Sequence, residues 1–276
     1  MRFIDTHCHV HFNAYKDDMH QVVQQNLDRG VGMVTVGTQT STSENGIKLA
    51  EQFDGVWATI GLHPNHVHAQ QFHDTNEIET IRTRSESFDP SFYEPLVSHP
   101  KVVAIGEFGL DYYRIPEGAD ADQVKAEQKA ECEKQLAFAT KHDKPIVIHC
   151  RDAHSDMADL LEAEIERGGI VKRGIIHSFT GTKGEADRYI AMGFKLGING
   201  ILFFSKDLQQ VVAGTLLESL VLETDAPYLT PPPNRGKRNE PFRVEEVAQL
   251  IADLKQTTLD AIAEQTTANA RTIFEI

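Results

Sequence analysis

Short apolar segments recur along this chain at intervals of roughly 30 residues, with helical patterns between them. This alternation is typical of an α/β protein whose parallel strands are joined by helices. The eight predicted strands are residues 2–4, 31–38, 56–60, 102–105, 145–148, 174–176, 194–198 and 220–222. Eight strands favour a single (β/α)8 TIM barrel with its active site at the C-terminal ends of the strands. An open doubly wound sheet is the alternative, but it would need a glycine-rich loop after the first strand, where this chain has histidines.

The size and composition of the chain fit one soluble domain, which we expect to span 1–276. No apolar run reaches the roughly 20 residues that a membrane helix needs, and we expect no signal peptide, because the first residues read as a strand without a basic region followed by an apolar one. Three cysteines without CxxC spacing indicate reduced thiols, so we expect a cytoplasmic protein. The net charge of −14 disfavours broad adhesion to nucleic acid, but not a nucleic-acid enzyme whose site is locally positive.

Two histidines spaced by one residue, His7 and His9, follow the first predicted strand. Residues two apart on a strand share a face, so both imidazoles point the same way and Cys8 points the other way. Two imidazoles side by side can chelate one divalent cation. The remaining ligands must then come from the ends of other strands.

Nitrogen and carboxylate ligands follow most of the other strands, and in a barrel such strand ends converge on one mouth. The candidates are His7, His9, His63, Glu107, His149, His177, Glu223 and Asp225. Four of the histidines with Glu107 and Asp225 make six donors, enough for two divalent metal ions with Glu107 as the bridge. This set suits Zn²⁺, Mn²⁺, Fe²⁺ or Co²⁺, whereas Mg²⁺ is less suited to imidazole.

Glu223 and Asp225 follow the last strand and share a strand face. We expect Asp225 to bind metal and to orient the attacking water, and Glu223 to be a ligand or a general base. A salt bridge at the rim is the alternative for Glu223. Most of the histidines outside the candidate set are predicted to be solvated, and these are His11, His20, His66, His68, His73, His99, His142 and His154.

A basic loop follows the last strand, in which Arg235, Lys237 and Arg238 lie within four positions behind the stiff run 231–233. On an acidic chain such a cluster beside metals indicates an anion site, most simply for phosphate, which Arg151 could also reach. The alternative is a solvated loop with internal salt bridges. Four aromatic residues near strand ends could stack on bases or pack at the rim, namely Phe108, Tyr112, Tyr113 and Phe179.

Helical patterns lie between and after the strands. We expect Asp89-Pro90 to end the third helix, because the residue before a proline avoids the helical conformation. The predicted helices are 15–29, one from Ser41 or Ser43 to Phe53, 75–88, 120–141, 154–167, 183–192, 240–255 and 259–274.

Several stretches together resemble one known family. They are DTHCH (5–9), GLHP (61–64), IGEFGLDYY (105–113), KPIVIHCRDA (144–153), HSFTG (177–181), LETDAPYLTP (222–231), RGKRNEP (235–241) and TTANA (266–270). They span nearly the whole chain, and in combination they resemble the TatD family of metal-dependent deoxyribonucleases, within the amidohydrolase-like TIM barrels.

The resemblance implies a two-metal phosphodiesterase acting on DNA, typically a 3′→5′ exonuclease on single strands, with RNA possible in some members. It implies a role in DNA repair, nucleic acid as the partner, and a monomer without a membrane or an obligate protein partner. The metal positions of the family correspond here to His7, His9, Glu107, His149, His177 and Asp225, with Zn²⁺, Mg²⁺ or Mn²⁺ as the ions. Its additional functional positions correspond to His63 and Glu223.

Two departures from the family concern substrate preference. The segment 70–99 is longer than usual and could form a lid or a partner surface, and Asn65 stands where a further histidine is common.

Two other functions remain as alternatives. One is a metal hydrolase of the same scaffold acting on a small lactone, amide or phosphoester. Such relatives commonly use a carboxylated lysine as the bridge, whereas this chain has Glu107 and no lysine at a strand end. The other is a non-catalytic nucleic-acid binder, which the complete ligand set disfavours.

Overall fold

Eight parallel strands form one sheet in which each strand pairs with the next along the chain. The computed structural model describes residues 1–72 and 81–276. The strands are β1 (Phe3–Cys8), β2 (Val31–Val36), β3 (Val56–Ile60), β4 (Val102–Asp111), β5 (Ile146–Arg151), β6 (Gly174–Ile176), β7 (Lys195–Ile198) and β8 (Leu220–Leu222). The sheet curls into a nearly closed barrel, and the predicted TIM barrel is thereby confirmed.

Helices follow most of the strands and cover the outside of the sheet. They are α1 (Met19–Asp28), α2 (Thr40–Ala50), α3 (Pro90–Val97), α4 (Ala121–Lys141), α5 (His154–Glu166), α6 (Lys183–Ala191), α7 (Lys206–Ala213), α8 (Val244–Lys255) and α9 (Leu259–Phe274). The last of them, α9, packs across β1 and β8. None of the helices in the two described ranges combines the length and the apolar character needed to cross a bilayer.

The barrel closes between β8 and β1 through the residues that follow β8. The backbone N–H of Asp225 donates to the carbonyl of His7 at 2.8 Å, and that of His9 donates to the carbonyl of Ala226 at 2.6 Å. A parallel bridge between Cys8 and Ala226 lies between these bonds. This seam, defined as residues 7–9 with 225–226, therefore brings two candidate histidines against a candidate carboxylate.

Side chains of β1 support the seam below the mouth. The buried carboxylate of Asp5 accepts hydrogen bonds from the backbone N–H of Thr224 at 2.9 Å and from its hydroxyl at 2.5 Å. The hydroxyl of Thr6 donates to the carbonyl of Leu222 at 2.9 Å. Cys8 is fully buried on the other face of the strand, and burial raises the pKa of its thiol well above the usual value. All three cysteines are unpaired and buried.

The segment between β3 and β4 differs from its prediction. Of the helix expected at 75–88, residues 75–80 lie outside the described residues, while the rest is the short strand Ile81–Arg82, paired with Gln71–Phe72, followed by irregular chain. A helix begins where we expected one to end, because the Asp89 carboxylate caps the N–H of Ser91 at 2.9 Å and Pro90 is the first helical residue.

Two buried glutamines of α4 fix the ends of β3 and β4. Gln135 accepts from the backbone N–H of Leu62 at 2.8 Å and donates to its carbonyl at 2.9 Å. Gln128, on the same helix face, makes the same pair of bonds with Asp111, at 2.9 and 3.0 Å. Each amide therefore satisfies one residue's backbone donor and acceptor at the barrel mouth.

We expect Gln135→Leu to lower the free energy of unfolding by about 1–3 kcal/mol, because the N–H and C=O of Leu62 would stay buried without partners. Urea denaturation measures this change. The control is Gln123→Leu on the exposed side of α4, where the amide bonds only to Glu127 and the expected change is within about 0.5 kcal/mol. Equal midpoints for the two variants would contradict the role of the buried amide.

Candidate metal centre

A cavity of about 480 Å³ opens at the C-terminal ends of the barrel strands. All eight histidines and carboxylates predicted at the strand ends lie in or beside this cavity. Six of them line the cavity, namely His9, His63, Glu107, His149, His177 and Asp225. The other two, His7 and Glu223, are almost fully buried directly behind it.

One side of the centre is built by the seam. His7 Nε2 lies 3.2 Å from Glu107 Oε2, and His9 Nε2 lies 3.3 Å from Asp225 Oδ1. Asp225 has a left-handed backbone with φ of 57°, which aspartate tolerates better than most residues. The Nε2 atoms of His7 and His9 thus each lie within 4 Å of an oxygen of Glu107 and of an oxygen of Asp225.

The other side of the centre is built by β4 and its neighbours. Glu107 Oε1 lies 2.8 Å from His149 Nδ1 and 3.4 Å from His63 Nε2. His149 Nε2 in turn lies 3.1 Å from Asp111 Oδ2, which also accepts from the Asn65 amide at 3.2 Å. Glu107 therefore presents one oxygen to each side, which is the arrangement expected of a bridging carboxylate.

Asp111 is a site residue that the sequence reasoning missed. It is the last residue of β4 and is buried beside His149. The predicted strand stops at Ile105, and of the residues just after it only Glu107 was taken as a candidate ligand. The position of Asp111 four residues after Glu107, and so on the same face of an extended strand, is the signal that could have identified it.

Glu223 holds His177 in place rather than facing the cavity. Its Oε1 lies 3.0 Å from His177 Nδ1 and accepts hydrogen bonds from the Ser178 N–H at 2.7 Å and the Asn199 amide at 3.1 Å. The carboxylate fits only because position 197 is glycine, since a Cβ on Gly197 would lie 2.2 Å from Glu223 Oε2. Of the two roles predicted for Glu223, a ligand or a general base, these contacts do not favour the general base, and they place the carboxylate where it can orient His177 or bind metal beside it.

The charges in the centre favour an anionic Glu107 and divide the imidazoles, because His7 and His63 are kept neutral whereas His149 is kept protonated. Burial alone would raise the pKa of Glu107, but the surrounding imidazoles, His63 and His7 foremost, hold it well below its usual range. Burial lowers the pKa of both His7 and His63. Burial would also lower the pKa of His149, but its hydrogen bonds to Asp111 and Glu107 raise it to about 9.

The donors fit a divalent transition metal. Both ring nitrogens of His7 are buried without a hydrogen bond, a cost that a bound cation would remove. Imidazole nitrogens mixed with carboxylate oxygens suit Zn²⁺ and its neighbours in the first row. Three groups of ligand atoms each lie within 4.8 Å of one another, and they are His7, His9 and Glu107; His63, Glu107 and His149; and His7, His177 and Glu223.

Three arginines line the cavity. Arg151 and Arg235 were predicted to bind phosphate, while Arg114 was not singled out from the sequence. Two of the aromatic residues suggested for base stacking, Phe108 and Phe179, are buried and cannot meet a ligand.

The other two residues of the predicted phosphate loop are placed differently. The guanidinium of Arg238 faces α1, where it pairs with both carboxylate oxygens of Asp18 at 2.7 and 2.6 Å and donates to the carbonyl of Ala14. Lys237 is exposed, and its ammonium lies 3.3 Å from the side-chain oxygen of Asn234. The structure therefore indicates that Arg238 holds the loop after β8 against the start of α1, and it gives no support to phosphate binding by Arg238.

Three of the histidines predicted to be solvated are buried. His11 contacts Thr35 Oγ1 at 2.6 Å, His66 lines the cavity, and His154 lies beside Tyr189. His73 lies outside the described residues. The other four are at least partly exposed, and these are His20, His68, His99 and His142.

Comparison with known proteins gives one consistent result. A family model described as "TatD related DNase" matches residues 4–275. The uncharacterized metal-dependent hydrolase YabD of Bacillus subtilis is 36% identical over 275 residues, which are 99% of this chain and 98% of that protein. A protein named 3′-5′ ssDNA/RNA exonuclease TatD, of Edwardsiella piscicida, is 32% identical over 271 residues, 95% of each chain. The crystal structure of YjjV, a TatD homologue of Escherichia coli, matches with a TM-score of 0.83 and 28% identity over 100% of this chain and 98% of that one.

We expect Glu223→Gln to weaken the affinity for Zn²⁺ or Mn²⁺ by roughly 10- to 100-fold, because the charged acceptor that orients His177 is lost. Competition with a chromophoric chelator measures this affinity. Glu218→Gln, at the exposed opposite end of β8, is the matched control and should bind like the wild type. An unchanged affinity in Glu223→Gln would show that His177 needs no such partner.

Proposed function

The chain belongs to the TatD-related DNase family of metal-dependent hydrolases, and we propose that it is a nuclease that hydrolyses phosphodiester bonds with two divalent ions. We propose single-stranded DNA as the substrate, degraded as by a 3′→5′ exonuclease, with RNA as a further substrate. The observation that carries the proposal is Glu107, shared between two groups of histidines beside a cavity that three arginines line. The exonuclease name of the relative from Edwardsiella piscicida supports the substrate and the polarity.

The proposed ions would share the Glu107 carboxylate. When bound, such ions neutralise phosphate charge and lower the pKa of a water molecule. One ion would be held by His7, His9, Glu107 and Asp225, and the other by Glu107, His149 and His177.

We propose that Asp225 accepts a proton from the attacking water. Its side chain is 18% exposed and faces the cavity. Burial alone would raise the pKa of Asp225, but the hydrogen bond with His9 and the imidazoles around it lower that pKa, so the carboxylate is ionised at neutral pH.

The neutral ring of His63 has a hydrogen-bond donor at Nε2. Its Nδ1 accepts from the backbone N–H of Asn65 at 3.0 Å, so the ring proton is on Nε2. His63 lines the cavity, and its Nε2 lies 3.4 Å from Glu107 Oε1. We propose that it donates to a non-bridging or leaving oxygen of the substrate phosphate.

The cavity arginines would hold the phosphates of the strand. Arg114, Arg151 and Arg235 bring positive charge to a chain whose net charge is −14. Guanidinium groups match phosphate oxygens in geometry as well as in charge. This local charge is the feature that a lactone or amide substrate would not require, and it favours the nuclease over such a hydrolase.

The first test is cleavage of 5′-labelled single-stranded DNA in the presence of Mn²⁺, Zn²⁺, Mg²⁺ or EDTA. We expect a metal-dependent ladder shortened from the 3′ end, and no products with EDTA. Glu107→Ala should retain less than a tenth of the wild-type rate, because both proposed ions lose their shared ligand.

Glu245→Ala, an exposed glutamate at the start of α8, is the control and should cleave at the wild-type rate. If protein shown to hold two ions cleaves no oligonucleotide with any metal, the nuclease proposal fails, and a small ester or amide becomes the better substrate. A Glu107→Ala rate above a tenth would remove the bridging role.

A second prediction separates the arginines that line the cavity from the one that does not. We expect Arg235→Gln to lower kcat/KM for the oligonucleotide by about tenfold or more, because a charge-assisted hydrogen bond to phosphate is lost. Arg238→Gln should change kcat/KM by less than about twofold, because its guanidinium pairs with Asp18. Steady-state kinetics of both variants decide the point, and equal losses would restore the predicted phosphate role of Arg238.

A further inference from the structure

Two exposed aromatic rings lie at the mouth of the barrel. Tyr113 is 60% exposed and Phe204 is 47% exposed. In residues 1–71 and 83–276, every other aromatic side chain is buried or half-buried. An exposed ring lacks the free energy that burial of its surface would provide, so a ligand that covers these two rings at the mouth would be stabilised by them.

Each of these rings is stacked against an arginine of the catalytic cavity. The Arg151 guanidinium carbon lies 3.7 Å from the ring centre of Tyr113, and that of Arg235 lies 4.4 Å from the ring centre of Phe204. Both arginines and Phe204 line the cavity. The same pairing of a cationic plane with an aromatic face therefore occurs twice around one site.

The two pairs stand on either side of His177. Tyr113 follows β4 and Arg151 ends the neighbouring strand β5. Phe204 follows β7, and Arg235 follows β8. In the order of the sheet, β6 alone separates the pairs, and His177 is the residue directly after β6.

We propose that the pairs Tyr113–Arg151 and Phe204–Arg235 are two nucleotide platforms, one on each side of the phosphodiester bond that is cleaved. On each platform an unpaired base stacks on the ring, and the guanidinium binds a neighbouring phosphate. The inference rests on the proposed nuclease function and deepens it, because it assigns the substrate class to single strands with accessible bases.

The chemistry of both partners supports this assignment. A guanidinium stacked on a ring keeps its N–H groups at its edge, where a phosphate can be bound. Stacking of a base on an aromatic side chain is worth about 1–3 kcal/mol and tolerates any base, since every base has a π-face. Bases inside a duplex are already stacked and paired, so the platforms favour single strands of any sequence.

A similar pair elsewhere in the chain shows what a purely structural stack looks like. Arg29 lies 4.1 Å from the ring centre of Phe242, and neither residue is part of the cavity lining. Phe242 is half-buried and packs against the hydrophobic core. Tyr113 and Phe204 have the stacked arginine without that burial, which is the difference that a stacking base would explain.

The test is steady-state cleavage by the metal-loaded protein of two single-stranded oligomers of equal length, one of thymidine nucleotides and one with abasic sites in place of the bases. We expect Tyr113→Leu and Phe204→Leu each to raise KM for the thymidine oligomer by about tenfold, with kcat within about twofold. Neither variant should change KM for the abasic oligomer, because that substrate has no base to stack. Phe242→Leu is the matched control and should leave both KM values unchanged.

The outcomes distinguish this inference from the proposed function. If the wild type cleaves the thymidine oligomer and the two mouth variants have the same KM, the platforms are overturned while the nuclease stands. A rise in KM of the same size for both oligomers would also overturn them, because the rings would then act through the shape of the mouth. If the wild type cleaves neither oligomer with any metal, the nuclease proposal fails and the platforms fail with it.

Discussion

The seam between β1 and β8 is the constraint on which both the barrel and its centre depend. The backbone bonds that join His7 and His9 to Asp225 and Ala226 close the sheet. The same bonds set two imidazoles beside a carboxylate, so the folding of the barrel and the assembly of half the centre are one event. The buried Asp5, hydrogen-bonded to Thr224, holds this junction from below, and burial raises its pKa well above the usual value. A buried carboxyl group is tolerated here because its oxygens have hydrogen-bond partners.

The site has two parts, the candidate metal donors on the strands and the candidate substrate contacts mostly beyond them. The donor atoms come from strands or from residues directly after them, and the α4 glutamines fasten two of those strand ends. The exposed rings and two of the cavity arginines come instead from the chain beyond the strands, at Tyr113, Phe204, Arg114 and Arg235, whereas Arg151 ends β5. Precise geometry is needed where a cation is to be held, and adaptable surface is needed where a long substrate is to be bound.

The sequence predicted what is encoded locally. Strands β4, β5 and β8 were found because their apolar runs are continuous, and the candidate ligands were found because they follow predicted strands. The third helix was misplaced because an Asp-Pro pair can end one helix or cap the next, and only packing decides which. The short helix α7 was missed, although Leu208, Val211 and Val212 form an apolar face at helical spacing. Arg238 was assigned to phosphate because its partner, Asp18, lies 220 residues away and leaves no local trace.

The thiol of Cys8 makes the opening of the seam measurable by chemical labelling. It is fully buried on the opposite face of β1 and stands in sequence between the two candidate ligands His7 and His9, and its raised pKa keeps it unreactive while the strands are joined. An alkylating reagent can reach it only when β1 separates from its neighbours, so the labelling rate reports the free energy of that local opening. Cys132 on α4 and Cys150 on β5 are buried in other elements and report on those separately. The three native thiols thus report the local opening of β1, α4 and β5, and equal opening free energies at all three would indicate that the barrel opens cooperatively.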